Sequence, residues 1–110
     1  MPPTRLDAAV DEYVRRCRIE RGLSSNTLDA YRRDLDAFVE FAARYGAGSL
    51  ADVDRTLYRR YVASLSTRSY APRTIARKAS AVRVFLEDCA RSGAIEVNPA
   101  TGVPQPKIPG

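Results

Sequence analysis

The chain has 110 residues, is 45% hydrophobic and carries a formal net charge of +5 without a single histidine. This length and composition predict one folded domain with a substantial core, and they exclude a disordered chain. The missing histidines exclude the commonest general base and most zinc sites, and no apolar run approaches the ~18 residues that a membrane-spanning helix needs.

Two helices are predicted in the first half of the chain. The first follows a short proline-bearing arm at residues 1–5, with Thr4 or Asp7 as its cap and Gly22 at its end. The second is predicted over Asn26–Arg44, with serine and asparagine side chains capping its start. Both segments show apolar residues at spacings of three and four, which is typical of one buried helical face.

Two further helices are predicted after a glycine-rich loop at residues 46–49. A capping turn at Ser49–Asp52 leads to Asp54, which is the expected cap of the third helix. Pro72 suits the first turn of the fourth helix, where its missing N–H costs nothing, and Gly93 is expected to end that helix. Four helices without a strand signal predict an all-α fold, a four-helix orthogonal bundle of two helical hairpins.

Regular structure is expected to end at Asn98-Pro99, because Pro104, Pro106 and Pro109 follow at short intervals. Proline-rich segments of this kind are usually extended linkers. The sequence therefore predicts a folded domain over residues 1–97 and an extended linker over residues 98–110.

Cys17 and Cys89 are too few and too far apart for a disulfide framework. Both fall in predicted apolar helical stripes, so they are expected to be small buried residues in a reducing compartment. The start of the chain lacks a hydrophobic signal segment, and a cytoplasmic protein is therefore the expectation.

Positive charge is concentrated in one stretch of the chain. Arg55–Leu86 holds eight basic residues and no acid, whereas acids outnumber basic residues on both sides of it. Clustered charge of one sign points to an anionic partner such as nucleic acid or an acidic membrane surface, or to a solvated face. Because the charge is clustered, a partner is favoured.

Two predicted helix starts combine polar side chains with basic residues, which suits the binding of phosphate. The residues of the first start are Ser25, Asn26 and Thr27, followed by Arg32 and Arg33. The residues of the second start are Arg73 and Thr74, followed by Arg77, Lys78 and Arg83. If helices two and four are antiparallel neighbours of helices one and three, both can present their polar faces to one DNA duplex.

Residues that could carry catalysis have a structural interpretation instead. Four tyrosines fall on or beside predicted core stripes: Tyr13, Tyr31, Tyr58 and Tyr61. Tyr70 precedes a helix and is expected at the surface. Asp34 and Asp36 lie near arginines on one helix, which predicts ion pairs at the surface. An active site within these residues is not expected.

Three segments carry a family resemblance. They are ERGLSSNTLDAYRRDL at residues 20–35, RTIARKASAVRVF at residues 73–85, and NPAxxVxxPK from Asn98 to Lys107. In this order and spacing they resemble the core-binding domain of Xer-type tyrosine recombinases. The similarity covers nearly the whole chain, and three motifs in register are far more specific than any one of them.

The resemblance implies a SAM-like four-helix module that, together with a catalytic domain, forms a C-shaped clamp around half of a recombination site. The implied partners are double-stranded DNA and other recombinase protomers, and the implied processes are DNA recombination, integration and chromosome dimer resolution. In such enzymes the cleaving tyrosine and its Arg, Lys, His and Arg set belong to the catalytic domain. This chain is therefore expected to be no enzyme by itself and to use no cofactor, metal or small-molecule ligand.

The resemblance also implies that helices two and four approach the major groove. Arg77 and Lys78 are then the best candidates for base edges, because both side chains can donate to guanine O6 and N7. The other residues of the two helix starts are assigned to phosphate. Arg83 lies two turns into its helix, where pairing with an acid is an alternative.

A different class of function is also compatible with the sequence. An all-α protein-interaction adaptor could use the same basic face to bind an acidic protein. An RNA-binding module is less favoured, because no aromatic platform for unstacked bases is evident.

Overall fold

The computed structural model describes residues 4–106. Its helices are α1 (Leu6–Arg21), α2 (Ser25–Arg44), α3 (Arg55–Ser66) and α4 (Pro72–Arg91). A short 3₁₀ turn at Leu50–Asp52 precedes α3. Within residues 4–106 there is no strand, only an isolated bridge between Arg5 and Ser49. The all-α prediction is confirmed.

Most helix ends follow the local signals in the sequence. Gly22 ends α1 in the left-handed conformation with a φ of 60°. The Asp54 carboxylate accepts a 2.8 Å hydrogen bond from the Leu57 N–H and caps α3. Pro72 is the first residue of α4, and the predicted capping turn at Ser49–Asp52 is present. These predictions are confirmed.

The start of α1 differs from the prediction. Its N-cap is Arg5, and neither Thr4 nor Asp7 caps the helix. Asp7 lies within the first turn and forms an ion pair with Arg5. Backbone hydrogen bonds to the α2–α3 loop hold this segment instead, with Leu50 N–H donating to the Thr4 carbonyl at 2.8 Å. The sequence signal was misleading because a contact distant in the chain fixes the helix entry.

α2 and α4 are the two central elements of the bundle, since each packs against the other three helices. Tyr13 of α1 meets Phe85 edge-on at a centroid distance of 5.4 Å. Tyr58 and Tyr61 of α3 are also buried, and Phe38 of α2 packs edge-on against Tyr61. Burial of these tyrosines confirms that they belong to the core.

The segment after α4 packs against the helices. Asn98, Ala100 and Val103 are buried. The Asn98 side-chain amide donates to the Arg83 carbonyl at 3.2 Å and to Glu87 at 3.0 Å. Residues 98–103 form turns, in which Thr101 N–H donates to the Asn98 carbonyl and Val103 N–H to the Ala100 carbonyl. One amide and two apolar side chains attach this segment to α4 and the core. The division of the chain into domain and linker stays a prediction, and residues 107–110 lie outside the described residues.

Both cysteines are free and buried, as predicted. Among residues 4–106, no helix has the length and apolar character needed to cross a membrane.

Candidate nucleic-acid interface

The first helix start has the form that the sequence indicates. Ser24 is the N-cap of α2, and its hydroxyl oxygen accepts a 3.3 Å hydrogen bond from the Thr27 N–H. Ser25 and Asn26 are exposed in the first turn, which contains no acidic residue. The positive end of the helix dipole and its free N–H groups therefore face solvent without a neutralising carboxylate, which favours an anion.

The second helix start is similar in charge but different in capping. Ala71 is the N-cap of α4 and makes no side-chain bond. The first turn again lacks an acid, Arg73 is exposed and Thr74 is half-buried. Helix α4 thus also begins with a positive dipole end that no carboxylate neutralises, next to the exposed side chain of Arg73.

One groove joins the two sets of residues. It has a volume of about 490 Å³ and lies between α2 and α4. Asn26 and Thr27 line it from α2, while Arg77 and Ser80 line it from α4. The structure therefore brings residues from both predicted sets to a single surface.

The groove is lined by the first half of α2 and the middle of α4. Asp34, in the middle of α2, pairs with Arg77, whereas the groove continues from Asn26 and Thr27 toward Val84. Arg73, in the first turn of α4, precedes Arg77 by one helical turn and does not line the groove. A rise of about 1.5 Å per residue places Arg73 and Val84 roughly 16 Å apart along α4.

The prediction that Asp34 forms a surface ion pair is wrong. Its side chain is only 4% exposed and binds two cations from α4. One Asp34 oxygen accepts a hydrogen bond from Arg77, and the other lies 3.2 Å from the Lys78 Nζ. Asp34 stands three residues after Tyr31 and four before Phe38, a spacing that belongs to the buried face. This helical spacing could have been read from the sequence alone as a sign that Asp34 is buried.

Arg77 and Lys78 have different surroundings. The Arg77 side chain is 55% exposed, so much of its guanidinium remains accessible from the groove. The Lys78 side chain is only 14% exposed, and its ammonium lies 5.1 Å from the centre of the Tyr70 ring.

Burial and, to a lesser degree, the Asp34 charge raise the pKa of nearby Tyr61 to about 12.

The other predicted arginines, Arg32, Arg33 and Arg83, do not line the groove. Arg32 forms an ion pair with Asp11 of α1, whereas Arg33 is exposed on α2. Arg83 lines a separate cleft between α1 and α4. Within residues 4–106 its Nε is buried without a hydrogen-bond partner and it forms no ion pair. The structure therefore does not bring Arg83 to the α2–α4 groove.

Comparison with known proteins identifies the family of this helical domain. The family described as phage integrase, N-terminal SAM-like domain, matches residues 10–93. The chain belongs to this family. All ten predicted contact residues lie inside the matched part of this SAM-like domain, whereas the packed segment at residues 98–103 lies beyond it.

Curated relatives of the SAM-like domain carry the name tyrosine recombinase XerC. The chain is 35% identical over 98 residues to the protein from Xylella fastidiosa (strain 9a5c), covering 89% of the chain and 33% of that protein. It is 34% identical over 99 residues to the protein from Herpetosiphon aurantiacus, covering 90% and 32%. The chain thus spans about one third of the length of these relatives. No solved structure matches it.

These matches confirm the resemblance to the Xer-type core-binding domain. The structure agrees with them, because the SAM-like domain is built from four helices within the described residues 4–106. The chain is therefore a SAM-like domain of the phage integrase N-terminal type, similar to about one third of each of these XerC relatives.

Proposed function

We propose that this domain binds double-stranded DNA and grips one half of a recombination site for a site-specific tyrosine recombinase. The observation that carries the proposal is the α2–α4 groove, where Asn26 and Thr27 from the start of α2 lie together with Arg77 from the second turn of α4. Neither start has an acid in its first turn. A DNA backbone would supply the negative charge that these two helix ends and their arginines favour.

Within this proposal the residues have different tasks. The first turn of α2 holds phosphate through its backbone N–H groups and the Ser25 and Asn26 side chains. Arg33 lies seven residues after Asn26, on the same side of α2, and is free to hold the next phosphate. Arg77 extends from the groove toward base edges, where a guanidinium can bind guanine through two hydrogen bonds.

Strand cleavage and rejoining belong, in this proposal, to the rest of the parent protein. The domain would position that catalytic part and pack against other recombinase protomers on DNA. The biological setting that we propose is DNA recombination and integration, including the resolution of chromosome dimers. In this arrangement the domain contributes binding energy and fixes the position of the recombinase along the DNA, and it performs no chemistry itself.

Salt dependence of duplex binding tests the proposal. Fluorescence anisotropy with a labelled duplex should show log Kd changing linearly with log salt, with a slope of about 0.9 for each neutralised phosphate. Arg33→Ala and Arg73→Ala should each lower that slope by about 0.9. Affinity that does not change with salt would refute DNA binding.

Arg55→Ala is the matched control, because it removes the same charge from a distant place. Arg55 is exposed at the start of α3 and lines a cleft with residues 94–99, beyond the end of α4. For Arg55→Ala, the slope of log Kd against log salt should equal that of the unmodified domain. If Arg55→Ala changes the slope as much as Arg73→Ala, only the total charge matters. A preference for an acidic protein over excess duplex DNA would instead support the adaptor function.

A further inference from the structure

The buried carboxylate of Asp34 has two cationic partners where one would neutralise it. Lys78 Nζ lies 3.2 Å from one oxygen, and Arg77 bonds to the other. The two cations differ in accessibility, since the Lys78 side chain is 14% exposed and that of Arg77 is 55% exposed. One partner is thus enclosed by the protein while the other reaches the groove.

Lys78 is suited to remain on Asp34 permanently. Its ammonium lies over the Tyr70 ring, and its side chain lines a small cavity of about 60 Å³ that Tyr61 also lines. A buried carboxylate needs a cation nearby, because its desolvation is otherwise uncompensated. Lys78 meets that need without leaving the protein interior.

Arg77 is suited to exchange partners. A guanidinium has five N–H donors, and the described bond to Asp34 uses only Nη1. The side chain lines the groove with Asn26 and Ser80. As long as Lys78 neutralises Asp34, Arg77 can turn toward an incoming phosphate or base edge without leaving a buried charge behind.

We propose that Asp34 and Lys78 are positioning residues that act on DNA through Arg77. Lys78 stays on Asp34 as its permanent counterion, and Arg77 exchanges its bond to Asp34 for a bond to DNA. This inference rests on the proposed function and gives Lys78 an indirect role in place of the direct base contact that the sequence suggested. Asp34 holds Arg77 at the groove until DNA arrives.

Lys78→Met tests the exchange. The variant leaves Arg77 as the only cation that bonds Asp34 in the described structure, so Arg77 should stay on the carboxylate. Affinity for a labelled duplex should then fall about as much as for Arg77→Ala, by roughly fivefold or more. The salt slope should fall by about 0.9 as well.

A rescue experiment separates the indirect role from a direct contact. In the double variant Asp34→Asn with Lys78→Met, the buried charge is gone and Arg77 is released. Affinity should return to within about twofold of the unmodified domain. A double variant that stays as weak as Lys78→Met would show that Lys78 itself touches DNA and would overturn the proposal. Lys78→Met binding like the unmodified domain would overturn it as well.

Folding must be measured beside binding. Circular dichroism and urea unfolding of each variant report whether the helices are intact. The double variant has no unpaired buried charge, so its affinity decides the question even if Lys78→Met alone unfolds. Failure of the unmodified domain to bind DNA in a salt-dependent way is a separate result, because it would refute the proposed function together with this inference.

Discussion

Burial controls the chemistry of the Cys89 thiol. Desolvation, which is the largest cause, raises the pKa of Cys89 to about 11. Since the thiolate is the nucleophile, the reactive fraction near pH 8 is about a hundredfold lower than for a thiol of pKa near 9. We therefore expect iodoacetamide to label Cys89 at least about tenfold more slowly in the folded protein than in urea, as followed by mass spectrometry. Equal rates in both states would contradict this burial.

The same thiol makes stability depend on alkaline pH. Cys89 holds its proton more tightly in the folded state, so its pKa is higher there than in the unfolded chain. Its contribution to stability is fully present below about pH 9 and is lost as the pH rises toward about 11. Cys89→Ala should reduce this part of the alkaline loss of stability in urea titrations, although the smaller side chain also lowers stability at every pH.

Asp34 shows what could be predicted about a single residue. Its helical spacing from Tyr31 and Phe38 places it on the buried face. Its partners, however, come from α4, more than forty positions later in the chain. Sequence reasoning that pairs charges within one helix cannot find them. The exposed positions of Arg33 and Arg73, by contrast, follow directly from the helical pattern.

Backbone conformation at the end of α1 gives a prediction at the level of one element. Gly22 has a φ of 60°, and a Cβ added there would meet no atom within 4 Å. Gly22→Ala should therefore lose stability through backbone strain alone, by about 1 kcal/mol. Urea unfolding measures this difference.

Gly48→Ala, in the loop between α2 and α3, is the matched control for Gly22→Ala. A Cβ at Gly48 also meets nothing within 4 Å, but its φ lies outside the positive range. The free energy of unfolding should stay the same or rise slightly, because alanine restricts the unfolded chain. If both variants lose stability equally, the left-handed conformation of Gly22 is not the cause.

The helices themselves were largely predictable, because their signals are local. Apolar spacing, Gly22, Asp54 and Pro72 placed the four elements close to where the structure has them. Local signals failed where a distant contact decides the outcome. The entry of α1 depends on the α2–α3 loop, which no local signal at Thr4 or Asp7 reports. The linker that the proline spacing predicts after Asn98 stays a prediction, and that spacing carries no information about the bonds of Asn98 to α4.

Packing of the whole molecule places the candidate interface on its two central helices. α4 touches every other helix, and α2 packs against α1, α3 and α4. The core therefore fixes the position of the groove between α2 and α4. The basic residues on α3 do not line this groove. The acid-free stretch that dominates the sequence is thus divided by the fold, and only its α4 part lines the groove.

Truncation tests how far the packed unit of the molecule extends. A chain that ends at residue 97 loses Asn98, Ala100 and Val103 from the core, together with the bonds of Asn98 to α4. We expect it to be less stable than a chain that ends at residue 106 by about 2–4 kcal/mol, from lost apolar burial and unpaired polar groups. Urea unfolding of both chains, with helix content followed by circular dichroism, measures the difference. Equal midpoints would mean that residues 98–103 contribute nothing to the fold and that the linker begins at residue 98.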